Sequence, residues 1–454
     1  MIMNNYRTIQ TVIVLLSLSF WGCNDNLTID PEQYLNTEKV ISTSENLNKI
    51  LNNAYGTARA SSSYGGGINL ASELIGNGGD LSWNGTYVGP AEFNEKAMLP
   101  DNGFVEDIWM NGYSVINQAN IVIENLEVYT DPDEKSTKEG EAKFLRGLIY
   151  FDLGRLFSKP FNASAPNTQL AVPITLAAVI DPYTLESPAR NTLDEVFNRV
   201  VTDLTDAYNK LPASNSFYAN KYSAAALLAR VYLDMGMYDK ARDMADEVIR
   251  ESGASLTGDF AGAFNNDSNS SENLFAWQVT SQDVSINDNN TFWAGRDFGG
   301  RSGNPDVSIE DQHLEIYDDP NDQRANFFYQ ARGMATTKWK SQFGNISFIR
   351  LAEMYLIRAE SNFRLSTSIG TTPISDINTL RMRSSAATYL IAIDLETILK
   401  ERKRELAFEG FALFDAKRLG NEVGSIPHNA NNLVLPIPQR ETDANTNLVQ
   451  NDGY

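Results

Sequence analysis

Lys221–Arg250, KYSAAALLARVYLDMGMYDKARDMADEVIR, is the stretch around which the chain is organised. Ala225, Leu228, Ala229, Tyr232 and Leu233 recur at helical spacing and make one apolar stripe. Gly236 stands where that helix must stop and reverse. Tyr238, Ala241, Ala245, Val248 and Ile249 repeat the stripe on a second helix. Small residues at Ala229, Ala241 and Ala245 let the two backbones approach closely. The reading is an antiparallel helix pair.

The order of small residue, Tyr, Gly, Tyr, Ala and small residue resembles one tetratricopeptide repeat. An ordinary helical hairpin of a globular protein is the alternative. A single pair cannot bury its stripe alone, so neighbouring segments must supply further helix. They do. Thr43–Ala60 places Leu47, Ile50, Leu51 and Ala54 on one face. Glu106–Val128 steps through Trp109, Tyr113, Ile116, Asn120 and Ile123 by four, three, four and three. Asn120 in that apolar line reads as a hydrogen bond between helices rather than a ligand contact. Lys138–Phe157 is apolar almost all round and reads as a buried helix. Its Gly140, Gly147 and Gly154 lie seven apart and admit another backbone, while Arg146, Asp152 and Arg155 need internal partners. Thr192 and Glu195 form a capping box opening a helix that Pro212 ends.

The second half reads similarly. Asn345–Arg364 carries a stripe of Phe348, Leu351, Ala352, Tyr355, Leu356 and Ala359. Asp376 is expected to cap a short helix through Arg383. Asp394–Phe408 is a further helix, and its run Lys400–Glu405 (KERKRE) reads as a solvated, self-paired face. Ser61–Asp101 and Glu251–Lys340 show no helical period and read as long irregular segments, which are more often functional than not. Pro436 and Pro438 keep the tail from Asn432 to Tyr454 extended.

The bulk numbers set limits. With 42% hydrophobic and 10% aromatic residues in 454, the chain is globular. A net charge of −21 and no basic stretch argue against nucleic acid as a partner. A single cysteine excludes an internal disulfide framework and a multi-thiolate metal site. Residues 1–22 read as a signal peptide: Val12–Phe20 would span ~14 Å as a helix, about half a bilayer core. Cys23 follows at once and resembles the acylated cysteine of a bacterial lipobox, with Phe20 and Trp21 where leucine and a small residue are usual. Asn24–Tyr34 is polar and reads as a tether.

Several stretches together resemble the SusD/RagB family of outer-membrane nutrient-binding lipoproteins. They are Cys23, WMNGYSVINQAN (109–120), GEAKFLRGLIYFDLGRLF (140–157), the helix pair above, FIRLAEMYLIRAE (348–360), ERKRELAFEGFALFDAKR (401–418) and the tail LVLPIPQRE with QNDGY. The resemblance implies a mainly α fold of four tetratricopeptide-like helix pairs with an irregular, loop-rich C-terminal subdomain. The expected division is 23–265 for the helical part and 266–454 for the rest. It implies a lipid anchor at the outer face of an outer membrane. The implied partner is a SusC-like, TonB-dependent β-barrel, and the implied ligand an oligosaccharide or, in some branches, a peptide.

Sugar rings present flat C–H faces that aromatic side chains can cover, and their hydroxyls bond to planar polar groups. Two stretches offer both. DLSWNGTY (80–87) holds Trp83, Asn84 and Tyr87, and the family's ligand loop lies in the corresponding stretch. FWAGRDFGGR (292–301) holds Trp293, Arg296 and Phe298. Each ring has the alternative of packing beneath its own loop. The net charge disfavours sulfated or uronate-rich glycans, whereas Arg296 and Arg301 act locally in the other direction. His313 and His428 sit in no nucleophile or zinc motif, yet carboxylates are numerous enough to leave a glycosidase pair open. The family resemblance implies a non-catalytic protein; a plain helical interaction scaffold is the remaining alternative. No cofactor is expected, apart from a possible calcium site at Asp318–Asp322 (DDPND), whose alternative is a turn.

Overall fold

The computed structural model describes residues 41–180, 186–282, 287–301 and 305–454. The proposed signal peptide, Cys23 and the tether therefore lie outside the described residues. No helix among the described residues is long and apolar enough to cross a membrane.

The frame is a file of helices, each packed on the next. It runs α1 (Ser44–Ala58), α4 (Gly103–Glu124), α5 (Pro132–Phe157), α6 (Leu193–Lys210), α7 (Lys221–Asp234), α8 (Tyr238–Glu251), α11 (Leu351–Leu365), and then α12 (Pro373–Arg383) and α13 (Leu395–Leu406), both against α11. Local sequence sets the ends. Asn220 and Ser223 form a capping box at α7, and Thr192 and Glu195 another at α6. Gly236 turns the α7–α8 pair with φ +70°, a left-handed value that glycine takes without strain. Ala225, Ala229, Ala241 and Ala245 are fully buried between the two helices and their neighbours.

The α5 glycines mark a close approach. A Cβ on Gly140 would stand 2.8 Å from Leu211, one on Gly147 2.9 Å from Leu204, and one on Gly154 3.3 Å from Val196. The bare face thus receives α6 side chains. The buried charges of α5 have the partners they need. Arg146 donates a two-pronged bond to Asp203 at 2.8 Å and a third bond, at 2.7 Å, to the Asn120 side-chain oxygen. Asn120 in turn donates to the carbonyls of Thr175 and Ala177. Asp152 pairs with Arg155 and accepts from Tyr64 at 2.7 Å.

Between these helices lie short antiparallel strand pairs. β1 (Leu81–Trp83) pairs with β3 (Val307–Ile309), β2 (Asn273–Trp277) with β6 (Ile346–Arg350), and β4 (Phe328–Gln330) with β5 (Met334–Thr336). Ser61–Asp101 is accordingly more ordered than its composition suggests: it holds α2 (Gly67–Ile75), β1 and α3 (Val88–Glu95). The helix expected over Asn345–Arg364 is split at Leu351. Phe348 lies in β6, against Tyr64 and Trp277, because β2 supplies a ladder that outcompetes the helical period. Thr372, not Asp376, caps α12; Asp376 is buried and paired with Arg358. The tail does run extended over the body, interrupted by α15 (Gln439–Ala444). The remaining short helices are α9 (Asp288–Trp293), α10 (Asp311–Leu314) and α14 (Ala412–Leu419).

KERKRE is the largest correction. Glu401, Arg402, Arg404 and Glu405 are buried. Glu405 accepts from Arg350 at 3.0 Å and pairs with Arg383. Glu401 binds Arg324 at 2.9 Å, Arg404 at 2.7 Å and Arg381. Arg350 also reaches Glu409 at 2.7 Å, which takes Lys338 at 2.6 Å. Burial by itself would raise the Glu405 carboxyl, but Arg383, Arg350 and Arg324 hold it far below its ordinary value. Removing one partner leaves other charges buried and unpaired. Glu405→Ala is therefore expected to cost roughly 3–5 kcal/mol in chemical denaturation; a loss below about 1 kcal/mol would mean the cluster behaves like surface pairs.

Glu73 of α2 offers a second test. Its carboxylate accepts the backbone N–H groups of Gly410 and Phe411 at 2.8 and 3.0 Å, pinning the entry to α14. Burial outweighs these bonds and raises its pKa from 4.5 to about 7. Between those values the folded chain holds a proton that the unfolded chain has released, so stability falls as pH rises across the window. Glu73→Gln keeps an acceptor and removes the titration. The wild type should lose up to about 3 kcal/mol relative to this variant from pH 4.5 to pH 7. Parallel stability–pH curves for the two proteins would contradict the assignment.

Candidate ligand-binding surface

The two ring-bearing stretches predicted from sequence meet in space, through β1 and β3. Trp83 pairs with Val307 at the end of the ladder. The Asn84 N–H donates to the Asp306 carbonyl at 2.7 Å, and its side-chain amide to the Ser308 hydroxyl at 2.9 Å. Both strand ends are thus fixed immediately before the chain enters Gly85–Tyr87. Trp83 folds back over Gly85: a Cβ there would stand 2.3 Å from its ring. The indole is half-buried, and Asn84 is exposed.

Tyr87 is 46% exposed and opens α3. Its ring meets Phe104 and Phe292 edge-on at 6.0 Å. Phe292 also packs on Trp83 at 5.9 Å. One buried phenylalanine therefore supports both rings from beneath. Arg301 lies over the Tyr87 ring at 4.5 Å and is held by Asp306 at 2.8 Å and by the Thr86 hydroxyl.

Trp293 is corrected. It is fully buried, with its ring 5.4 Å from Phe408, and presents no face to a ligand. Adjacent residues on a helix point about 100° apart. On the short α9 it is Phe292 that turns toward Trp83 and Tyr87, while Trp293 turns into the core. Phe298 is 37% exposed, set edge-on to Tyr329 at 5.1 Å. The Tyr329 hydroxyl accepts from the Gly295 N–H at 2.8 Å, tying the β4–β5 hairpin to the Phe298 loop. Arg296 is exposed, and its guanidinium meets no partner among the described residues. Trp109, Trp277 and Trp339 are in the core.

Phe292, Tyr329 and Lys340 are absent from the residues predicted for the surface. Lys340 stands over Phe298 at 3.9 Å and over Tyr329 at 5.1 Å. Phe292 lies in the quoted motif, one residue from Trp293. Nothing in the sequence places the hairpin beside residues 295–299.

Other features do not compete. A wide cleft of about 560 Å³ is lined by Asp101, Glu106, Gln439, Arg440, Asp443 and Ala444, with no aromatic ring. In the DDPND stretch, Asp322 pairs with Arg324 and Asp318 with Arg404. Asp319 accepts the N–H groups of Asn321 and Ala387. Among the described residues no group of three or more His, Cys, Asp and Glu side chains is placed to hold a metal ion. His313 is buried between Phe408 and Tyr317; burial lowers its pKa, and Asp80 opposes that.

Two family profiles match this chain. One, described as "Starch-binding associating with outer membrane", covers residues 27–233, and the SusD family profile covers 215–426. SusD-like protein P2 of Formosa agariphila is 28% identical, over 98% of this chain and 99% of that protein. A SusD superfamily protein of Bacteroides thetaiotaomicron superposes with a TM-score of 0.81 at 26% identity, covering 90% of this chain and 99% of its own. A putative sugar binding protein of Bacteroides vulgatus gives 0.79 at 26% identity, covering 91% and 99%. Helix file, strand pairs and ring-bearing loops define a SusD-type architecture. The chain belongs to the SusD/RagB family.

The geometry separates the two predicted tryptophans. Trp83→Ala should weaken ligand binding by about 2 kcal/mol, roughly 30-fold, while leaving the fold intact. Trp293→Ala should instead lower the unfolding free energy by roughly 3–5 kcal/mol. Calorimetry and thermal unfolding on both variants check this; reversed phenotypes would contradict the placement.

Proposed function

We propose that this protein captures oligosaccharides at the surface formed by Trp83, Asn84, Tyr87, Arg296 and Phe298. In this reading it is lipid-anchored at Cys23 on the outer face of the outer membrane, and passes its ligand to a SusC-like, TonB-dependent β-barrel transporter. The observation that carries the reading is the exposed Tyr87 and half-buried Trp83, held on one rigid support beside an exposed Asn84. Such sites combine apolar faces with a few fixed polar groups. The description of the family profile, starch binding with outer-membrane association, supports it, as does the related putative sugar binding protein.

The reading is of a binding protein without turnover. Incubation with a glycan panel, followed by chromatography of the products, should return every glycan uncut while calorimetry registers saturable, reversible binding. Affinity purification from membranes should retain a large β-barrel protein alongside the chain. Release of shortened products, abolished by replacing a single carboxylate, would establish a glycoside hydrolase instead. Saturable binding of peptides with no response to any glycan would move the chain to the peptide-binding alternative.

A further inference from the structure

The rings of the candidate surface carry cations on their faces. Arg301 covers Tyr87 at 4.5 Å, and Lys340 covers Phe298 at 3.9 Å and Tyr329 at 5.1 Å. Two more cations stand close by. Arg296 is exposed two residues before Phe298 in the same loop. Arg332 is exposed at the turn between β4 and β5, next to Ala331, whose Cβ lies 3.1 Å from where a Gly295 Cβ would be. The ring-bearing segments 83–88, 294–301 and 329–340 hold Arg296, Arg301, Arg332, Lys338 and Lys340 against one acidic residue, Asp297. Lys338 is buried on Glu409, and Arg301 is bonded to Asp306. Arg296, Arg332 and Lys340 make no salt bridge among the described residues. The whole chain has 37 basic and 58 acidic residues, whereas the cations left without a salt bridge here, Arg296, Arg332 and Lys340, outnumber the one acidic residue of these segments, Asp297.

We propose that the surface selects anionic oligosaccharides, those bearing carboxylate or sulfate groups. This rests on the carbohydrate-binding reading and narrows it. Arg301 is held on Tyr87 by Asp306 and Thr86, so the displaceable cation is Lys340: a neutral sugar must push it off Phe298 before its C–H face can lie there. An anionic sugar draws the same cation to its own charged group, and the ring is freed in the same movement. The opposing net charge of −21 acts weakly at this range. At physiological ionic strength, charges beyond about 8 Å are largely screened, whereas cations touching the ligand are not. Bonds between ionised partners are also the stronger and more directional kind.

The test is calorimetry on the full chain in detergent. The probes are size-matched oligosaccharides: an oligogalacturonate, a sulfated oligogalactan, a neutral glucan and a neutral galactan, with an acidic peptide as control. At least one anionic sugar should bind about 10-fold or more tightly than either neutral one. Arg296→Gln combined with Lys340→Gln should remove most of that advantage by weakening anionic binding about 10-fold. Raising NaCl from about 50 mM to about 500 mM should weaken anionic binding alone. The carboxylate and sulfate arms distinguish which group is read. Neutral sugars binding as tightly as anionic ones, with dependence on Trp83 but not on the two cations or salt, would overturn the charge selection and leave the glycan-binding reading standing. Binding of no sugar, or of the acidic peptide alone, would overturn both.

Discussion

Arg350 closes β6 and stands at the entry to α11, and its fork of donors reaches Glu405 and Glu409. A buried ion cluster adds little net stability over a well-packed apolar core, yet it tolerates very few arrangements, because any shift leaves a charge unpaired. Here it sets the relation of the end of α13 to the β2–β6 pair. Lys338 extends it, donating to the carbonyls of Glu405 and Ala407 as well as to Glu409. That fixes the segment leaving the β4–β5 hairpin. Beside it the Trp339 indole donates to the Phe408 carbonyl at 3.0 Å, and Phe408 packs on Trp293. From Trp293 the next residue back is Phe292, which carries Trp83 and Tyr87. An unbroken line of contacts therefore leads from the charge cluster to the exposed rings.

The helix file was legible because its signals are local. Small residues at fixed spacing, a turn glycine and the Thr192–Glu195 capping box each act within one or two turns. The α5 glycines even announced a close neighbour, which proved to be α6. KERKRE misled for a physical reason. Alternating signs at short spacing serve a solvated helix face and a buried ion cluster equally well. What separates them is the arrival of Arg324, Arg350, Arg381 and Arg383 from distant segments. The same holds for Phe348, whose periodicity fitted a helix until β2 offered a ladder.

The ring surface was legible to the segment and not to the residue. Aromatics in irregular, Asn- and Gly-rich chain pointed to both loops, but the choice between Phe292 and Trp293 turns on the orientation of a six-residue helix. That orientation comes from packing against α2 and Phe408, through contacts more than a hundred residues away along the chain. Gly85 fits the same pattern. Nothing in the sequence marks it, whereas in space it is the floor on which the Trp83 indole lies.

Rigidity is what makes these rings useful. A loop that must be ordered by its ligand draws that cost from the affinity, so a small ligand is held best where the contact surface is already fixed. Trp83 meets that condition: it ends a paired strand, its successor is bonded through both backbone and side chain, and Phe292 closes its underside. Arg301 meets it too, since Asp306 and Thr86 set its guanidinium in place. Arg296 does not: it is exposed at the edge of the same surface and meets no partner among the described residues. In the proposed reading, fixed rings at the centre and an exposed cation at the rim would divide the labour: the first offers a shape for a sugar to match, and the second a charge for an anionic group to meet.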